Sequence, residues 1–240
     1  MKKLIKSFVP FCLACFLART AFAQVVADGS GTWTPVAITP TDEVQWPWNI
    51  SPESERFTDV NNIYHTWVYN TDQPFSEGNT TLPRTEIRVK LPTSQAGVGS
   101  DTDYVSGQWQ FGAQMMIPSD TSNWCIFQIH TGDEQSNEYG STAGMLFFEA
   151  GDGGSIHWYD GTELAGHLYN KWFQLNVIHD LDATSNTTMT VYLNNTQIYQ
   201  ATTTSNALDY YFKCGDYGQT GFSHEGENNI KDINIWYQAP

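Results

Sequence analysis

Three short segments carry side chains suited to gripping a carboxylate and moving a proton beside it. They are Arg84-Thr85-Glu86-Ile87-Arg88, Gln128-Ile129-His130 and Tyr211-Phe212-Lys213-Cys214-Gly215-Asp216-Tyr217-Gly218-Gln219. Each alternates as a strand does, and successive side chains of a strand point to opposite faces. Arg84, Glu86 and Arg88 therefore share one face, Gln128 and His130 share another, and Tyr211 and Lys213 a third. Gly215 is expected to allow a bend before Tyr217. If the three faces adjoin on one sheet, they bring together cations, an amide, an imidazole and a phenol. Arg84 would supply a fixed, two-pronged donor to a carboxylate. Gln128 and a neutral His130 would add hydrogen bonds, as an oxyanion hole does. An imidazole and a phenol beside that carboxylate could move a proton.

Strands must position these groups, and the sequence is rich in them. From Ile63 onward, short apolar or alternating runs are cut by turn residues: Ile63–Tyr69, Thr85–Leu91, Gln108–Ile117, Cys125–His130, Met145–Glu149 and Ser155–Tyr159, then Trp172–His179, Thr188–Leu193, Gln197–Ala201, Tyr210–Cys214 and Ile230–Tyr237. Asn194-Asn195 between two runs predicts a hairpin turn. Thr131–Gly140, Gly151–Gly154 and Gly215–Gly226 read as loops. No long 3.6-residue periodicity occurs, so helix should be scarce. Many strands without a repeat predict an all-β fold, a β-jelly-roll sandwich of two antiparallel sheets with a concave cleft. Residues 24 to about 60 read as irregular, wrapping the sandwich or adding an edge strand. Most tryptophans in strand patterns (Trp109, Trp124, Trp158, Trp172, Trp236) should be core, with a few aromatics free to stack on sugar rings.

Residues 1–23 read as a secretory signal peptide: Lys2, Lys3 and Lys6, an apolar stretch from Phe8 to Leu17, then Ala21-Phe22-Ala23 before Gln24. The expected mature chain, 24–240, forms one catalytic domain and is secreted. The leader holds four of the 11 cations, so seven remain against 26 acids. Such a surface repels nucleic acid and anionic lipid. No later stretch is long and apolar enough to cross a membrane as a helix. Four of the seven cations, Arg84, Arg88, Lys90 and Lys213, lie in or beside two of the motifs. That placement predicts an anion-binding site, the alternative being salt bridges with surplus carboxylates. Cys125 is out of phase with Gln128, and Cys214 with Lys213, so both thiols should face the core as a disulfide or as free thiols. There is no CxxC, HExxH or EF-hand loop, and no metal or cofactor is expected. Sequons stand at Asn49, Asn79, Asn186 and Asn194.

The ordered trio RTEIR, QIH and YFKCGDYGQ resembles polysaccharide lyase family 7, the β-jelly-roll alginate lyases, whose motifs are R-[ST]-E-x-R, Q-[IV]-H and Y-F-K-x-G-x-Y-x-Q. Cys214 stands where that family most often has Ala, and Gly218 where Asn is common. The resemblance implies β-elimination on an acidic uronate polymer, alginate first, by a chain expected to act as a monomer. It implies that Arg84, Gln128 and His130 neutralise the carboxylate at C5. Tyr217 would be acid and, for mannuronate or glucuronate, also base. For guluronate, where the C5 hydrogen and O4 leave from opposite sides, His130 would be the base. The Ile within Q-I-H tilts towards guluronate. Glu86, Arg88, Tyr211, Lys213 and Gln219 would hold substrate or its clamps. Charges on Arg84 and Lys213 are expected to lower the Tyr217 pKa.

Three rivals remain at this level. A glucuronan or other polyuronate lyase would use the same scaffold. A non-catalytic carbohydrate-binding jelly roll would have no need of Tyr217 and His130 together. A glycoside hydrolase would need two carboxylates flanking the bond, usually as E-x-D-x-x-E in a strand, and that pattern is absent.

Overall fold

The computed structural model describes residues 32–132, 142–181, 187–203 and 207–239. The expected leader, most of the expected loop 131–140 and the Asn186 sequon lie outside them. Among the described residues, fifteen strands build two antiparallel sheets. The first contains β1 (Thr34–Val36), β3 (Phe57–Val60), β4 (Ile63–Tyr69), β6 (Gln108–Met116), β11 (Phe173–Asp180), β12 (Thr187–Leu193), β13 (Thr196–Thr203) and β15 (Glu225–Gln238). Its order is β13-β12-β11-β6-β15-β4-β3, with β1 also on β15. The second contains β2 (Val44–Gln45), β5 (Arg84–Arg88), β7 (Trp124–Thr131), β8 (Thr142–Glu149), β9 (Ser155–Trp158), β10 (Glu163–Ala165) and β14 (Tyr210–Gly218), in the order β10-β9-β8-β7-β14-β5-β2.

The expected all-β jelly-roll sandwich is present, and no α-helix occurs among the described residues; two single 3-10 turns span Glu53–Glu55 and Gly151–Gly153. The alternating runs become strands because one side of each is apolar and can be buried against the facing sheet. Trp109, Phe111, Ala113 and Met115 of β6 are fully buried, as are Phe127 of β7 and Phe212 of β14 within about a percent. Phe111 and Phe127 meet at 4.9 Å across the interface, and Phe212 packs 5.9 Å from each. Each such ring contributes roughly 1.5–3 kcal/mol by leaving water. The Asn194-Asn195 turn joins β12 to β13 with φ of 49° and 66°, the left-handed conformation that asparagine tolerates. Trp172 is the exception among the five tryptophans, staying partly exposed under the Lys231 ammonium at 4.2 Å.

The segment 24–60, expected to be irregular and to wrap the sandwich or add an edge strand, contributes from its described residues the short strands β1, β2 and β3, with β2 and β3 at sheet edges. One expectation is corrected. Gly215 does not end a strand: β14 runs on through Gly218. Gly215 sits opposite Glu86 at φ +140°, where an added Cβ would lie 2.3 Å from the Thr85 carbonyl oxygen. Glycine is required there by both conformation and close approach. Gly215→Ala should therefore destabilise the fold by about 2 kcal/mol or more. Urea unfolding checks it, and a change within ~0.5 kcal/mol would mean β14 relaxes around the new methyl.

Candidate active site

β14 lies between β7 and β5, so the three motifs adjoin on one sheet as their alternation requires. Lys213 pairs with Arg88 on one side and Gln128 on the other; Tyr211 pairs with His130; Tyr217 pairs with Arg84 and Cys125. Arg84, Arg88, Gln128, His130, Tyr211, Lys213 and Tyr217 all line one cavity of about 440 Å³. Its wall is completed by residues outside the three motifs: Glu43 and, in β2, Gln45, then Phe75, Asn79 and Thr81 from the stretch before β5, Thr131 and Gly132 at the end of β7, and Thr142 and Met145 of β8. Gln219 is not part of this lining. It follows the end of β14, where its carbonyl closes a turn with the Phe222 amide at 3.1 Å.

Glu86 lies beneath the cavity, 1 % exposed, and is the hub of the site. Its Oε2 accepts from Lys213 Nζ at 3.2 Å and from Arg84 at 3.4 Å, and its Oε1 accepts from the Gln128 amide. Burial alone would raise its pKa. The two cations and the amide donor outweigh that and hold it below the usual carboxylate range. Lys213 is equally buried, and burial with the neighbouring arginines brings its pKa down to about 8. The Arg84 guanidinium stacks over the Tyr217 ring at 4.0 Å and the Phe75 ring at 4.9 Å, and its Nε–H has no hydrogen-bond partner. Its fork is thus fixed in plane while keeping an unused donor.

Arg88 is less available than its sequence position suggests. It donates to both Asp103 oxygens at 2.8 and 2.9 Å, stands 3.6 Å from Glu43, and covers the Tyr211 ring at 4.1 Å. Lys90 pairs with Glu43 at 3.0 Å. Every one of the four clustered cations therefore has a carboxylate neighbour. The salt-bridge alternative holds for all four, and Arg84, Arg88 and Lys213 also line the cavity. Burial pushes Asp103 up to about 6 despite Arg88.

The two candidate proton carriers differ from expectation in an informative way. His130 Nδ1 lies 2.7 Å from the Thr131 carbonyl, which can only accept, so Nδ1 carries the hydrogen and Nε2 a lone pair. Burial, reinforced by the Lys213 charge, lowers its pKa to about 4. Its ring stacks on Tyr211 at 5.1 Å. The imidazole is then neutral and basic at Nε2, better suited to take a proton than to donate to a carboxylate. Tyr217 moves opposite to the sequence expectation: burial raises its pKa, and the nearby Arg84 charge only partly counters this. The phenol rests protonated.

Cys214 faces the core as expected, but Cys125 does not. A β-bulge in β7 between Cys125 and Phe127 puts both Ile126 and Phe127 in the core, so the alternation slips by one and Cys125 lines up with Tyr217. Both thiols are free and buried, and burial pushes each well up in pKa.

Glu86→Gln keeps the shape of the hub and removes its charge. Breaking a buried ion cluster from one side costs about 3–5 kcal/mol, because the remaining cations stay desolvated. Denaturant unfolding checks the loss. A change under about 1 kcal/mol would show that Lys213 simply sheds its proton and that the cluster adds little to stability.

A family model described as alginate lyase matches residues 41–236. A citrate-binding protein of Hevea brasiliensis is 32 % identical over 236 residues, covering 95 % of this chain and 90 % of the relative. Among solved structures, the family 7 alginate lyase A1-II′ in complex with product has a TM-score of 0.60 at 15 % identity, covering 81 % of this chain and 94 % of that one. An endo-β-1,4-glucuronan lyase from the fungus Trichoderma reesei has a TM-score of 0.53 at 9 % identity, covering 86 % and 95 %. At these identities the two structures speak for a shared fold. The family match runs through β5, β7 and β14 and every motif of the cavity, and on it the chain belongs to the alginate lyase family of polysaccharide lyases.

Proposed function

We propose that this chain is a secreted, metal-independent lyase that cleaves alginate by β-elimination, with guluronate the preferred sugar at the reacting position. One observation carries the assignment of roles: a neutral imidazole with its lone pair on Nε2 and a protonated phenol line the same cavity. Arg84 and Gln128 bind the uronate carboxylate and stabilise the negative charge that develops as C5 loses its proton. His130 Nε2 takes that proton. The C5–H electron pair becomes the C4–C5 double bond, the C4–O4 bond breaks, and O4 takes the hydroxyl proton of Tyr217. Solvent then returns the His130 proton to the Tyr217 phenolate. Separate acid and base groups suit guluronate, whose C5 hydrogen and O4 depart from opposite sides. Glucuronan remains the alternative polymer, and residues 1–23 are read as the leader that exports the enzyme.

The Hevea relative favours a second reading, capture of a small polycarboxylate without turnover. A cavity of about 440 Å³ flanked by Arg84, Arg88 and Lys213 has the size and donors for one. Binding alone gives no reason to combine a free imidazole nitrogen with a protonated phenol, so the lyase reading ranks first. The mature protein, in chelator, should release unsaturated products from at least one of alginate, polyguluronate, polymannuronate and glucuronan. Tyr217→Phe should lower that turnover by at least ~10²-fold. Folded wild-type protein that is silent on the whole panel yet binds citrate calorimetrically would establish the second reading instead.

The pH profile follows from the same groups. With its pKa near 4, His130 stays an available base down to about pH 5. Lys213, with its pKa near 8, is charged below that value and loses its charge as pH rises through it, taking with it the positive field over the carboxylate site. kcat/KM should therefore be flat between these values and fall above about pH 8. Lys213→Met should lower the plateau and abolish the alkaline limb. An unchanged limb in that variant would assign it to another group.

A further inference from the structure

The register of the site sheet continues past Tyr217 away from Arg84. Tyr217 pairs with Cys125 on β7, Cys125 pairs with Phe147 on β8, and Phe147 pairs with His157 on β9. These positions share one face of the sheet. Cys125, small and fully buried, stands between Tyr217 and Phe147 in this register. Two strand spacings, roughly 10 Å, separate those backbones. Phe147 is half-buried, and Tyr159, just past β9, packs against it with ring centroids 6.1 Å apart. Tyr159 is 56 % exposed, an unusual setting for a large ring on the concave side of a sandwich. The charged side chains flanking this strip are carboxylates: Glu149 and Glu163 each stand 3.8 Å from His157. The strip therefore has the opposite character to the cavity. One is clamped by cations; the other is aromatic with an acidic border.

We propose that Phe147 and Tyr159 form an aromatic subsite that stacks on the apolar face of the sugar attached through the leaving oxygen. The inference rests on the lyase reading, in which Tyr217 protonates that oxygen, and it names what holds the ring beyond it. Pyranose rings present C–H faces to aromatic rings, and an amphipathic, partly exposed tyrosine is the usual partner for a ligand that stays wet on its other side. No cation is needed for such a contact, so it reads the ring and not its charge. The epimer or carboxylate state of the leaving-side sugar is thereby left loosely specified, whereas Arg84 and Gln128 fix the reacting one.

Kinetics on oligouronates of graded length test this. Tyr159→Ala should raise KM on long substrates by up to ~10-fold, the worth of one aromatic stack, and by much less on the shortest oligomer cleaved. Tyr159→Phe should restore KM, because the ring and not the hydroxyl does the stacking. The increment should persist as salt is added, unlike losses from cation sites. An equal loss at every length, no loss, or a Phe variant as poor as Ala would overturn the subsite. Should the wild-type protein cleave none of the polymers, calorimetric titration with the same oligomers separates the two ideas. Weaker binding by Tyr159→Ala would keep the subsite while the lyase reading falls, and unaltered binding would overturn it.

Discussion

A single buried carboxylate organises this molecule's working face. Removing Glu86 from water is costly on its own, by several kcal/mol even after relaxation. The cost is offset only because donors from three strands converge on it: Arg84 from its own strand, Lys213 from β14 and Gln128 from β7. These strands are far apart in sequence, and β14 can sit between the others only if its register places Lys213 and the side-chain-free Gly215 where the carboxylate needs them. The register of the sheet and the polarity of the cavity floor are thus one constraint. A slip by one residue would bury Lys213 in the hydrophobic core and lift Cys214 into the cleft.

The same hub bears on the two groups proposed as acid and base. Lys213 helps keep His130 neutral, while Arg84, held in plane by Glu86 and two aromatic rings, leans over Tyr217 without overcoming its burial. Two groups with ordinary pKa values 3.5 units apart are moved further apart by burial. At neutral pH the imidazole is left unprotonated and the phenol protonated, the states that the proposed base and acid require.

Much of this was legible in the sequence because strand alternation is a local signal. RTEIR, QIH and YFKCGDYGQ each declare a polar face, and the apolar residues between them declare the core. What could not be read depends on partners. The slip at Cys125 comes from a bulge that exists only relative to β8 and β14. Asp103 and Glu43, which occupy Arg88 and Lys90, come from a loop and an edge segment with no periodicity of their own. The sign of the Tyr217 shift turned on burial, which outweighs a neighbouring charge that the sequence did reveal. Gln219 falls outside the cavity because the chain turns as soon as β14 ends, a boundary that the motif spacing does not mark.

The carboxylates facing Arg88 and Lys90 have a further consequence. A cleft of bare cations would hold any polyanion tightly, whole or cut, and would be slow to clear itself. Here Asp103 and Glu43 already satisfy much of the positive charge. On the proposed reading, an incoming chain would exchange one set of ion pairs for another, with a small and reversible gain per contact. Residence time would then depend on how many rings are engaged at once, and fragments that span fewer positions than the parent chain would depart sooner. Internal neutralisation of the cleft would in this way be a built-in safeguard against product inhibition.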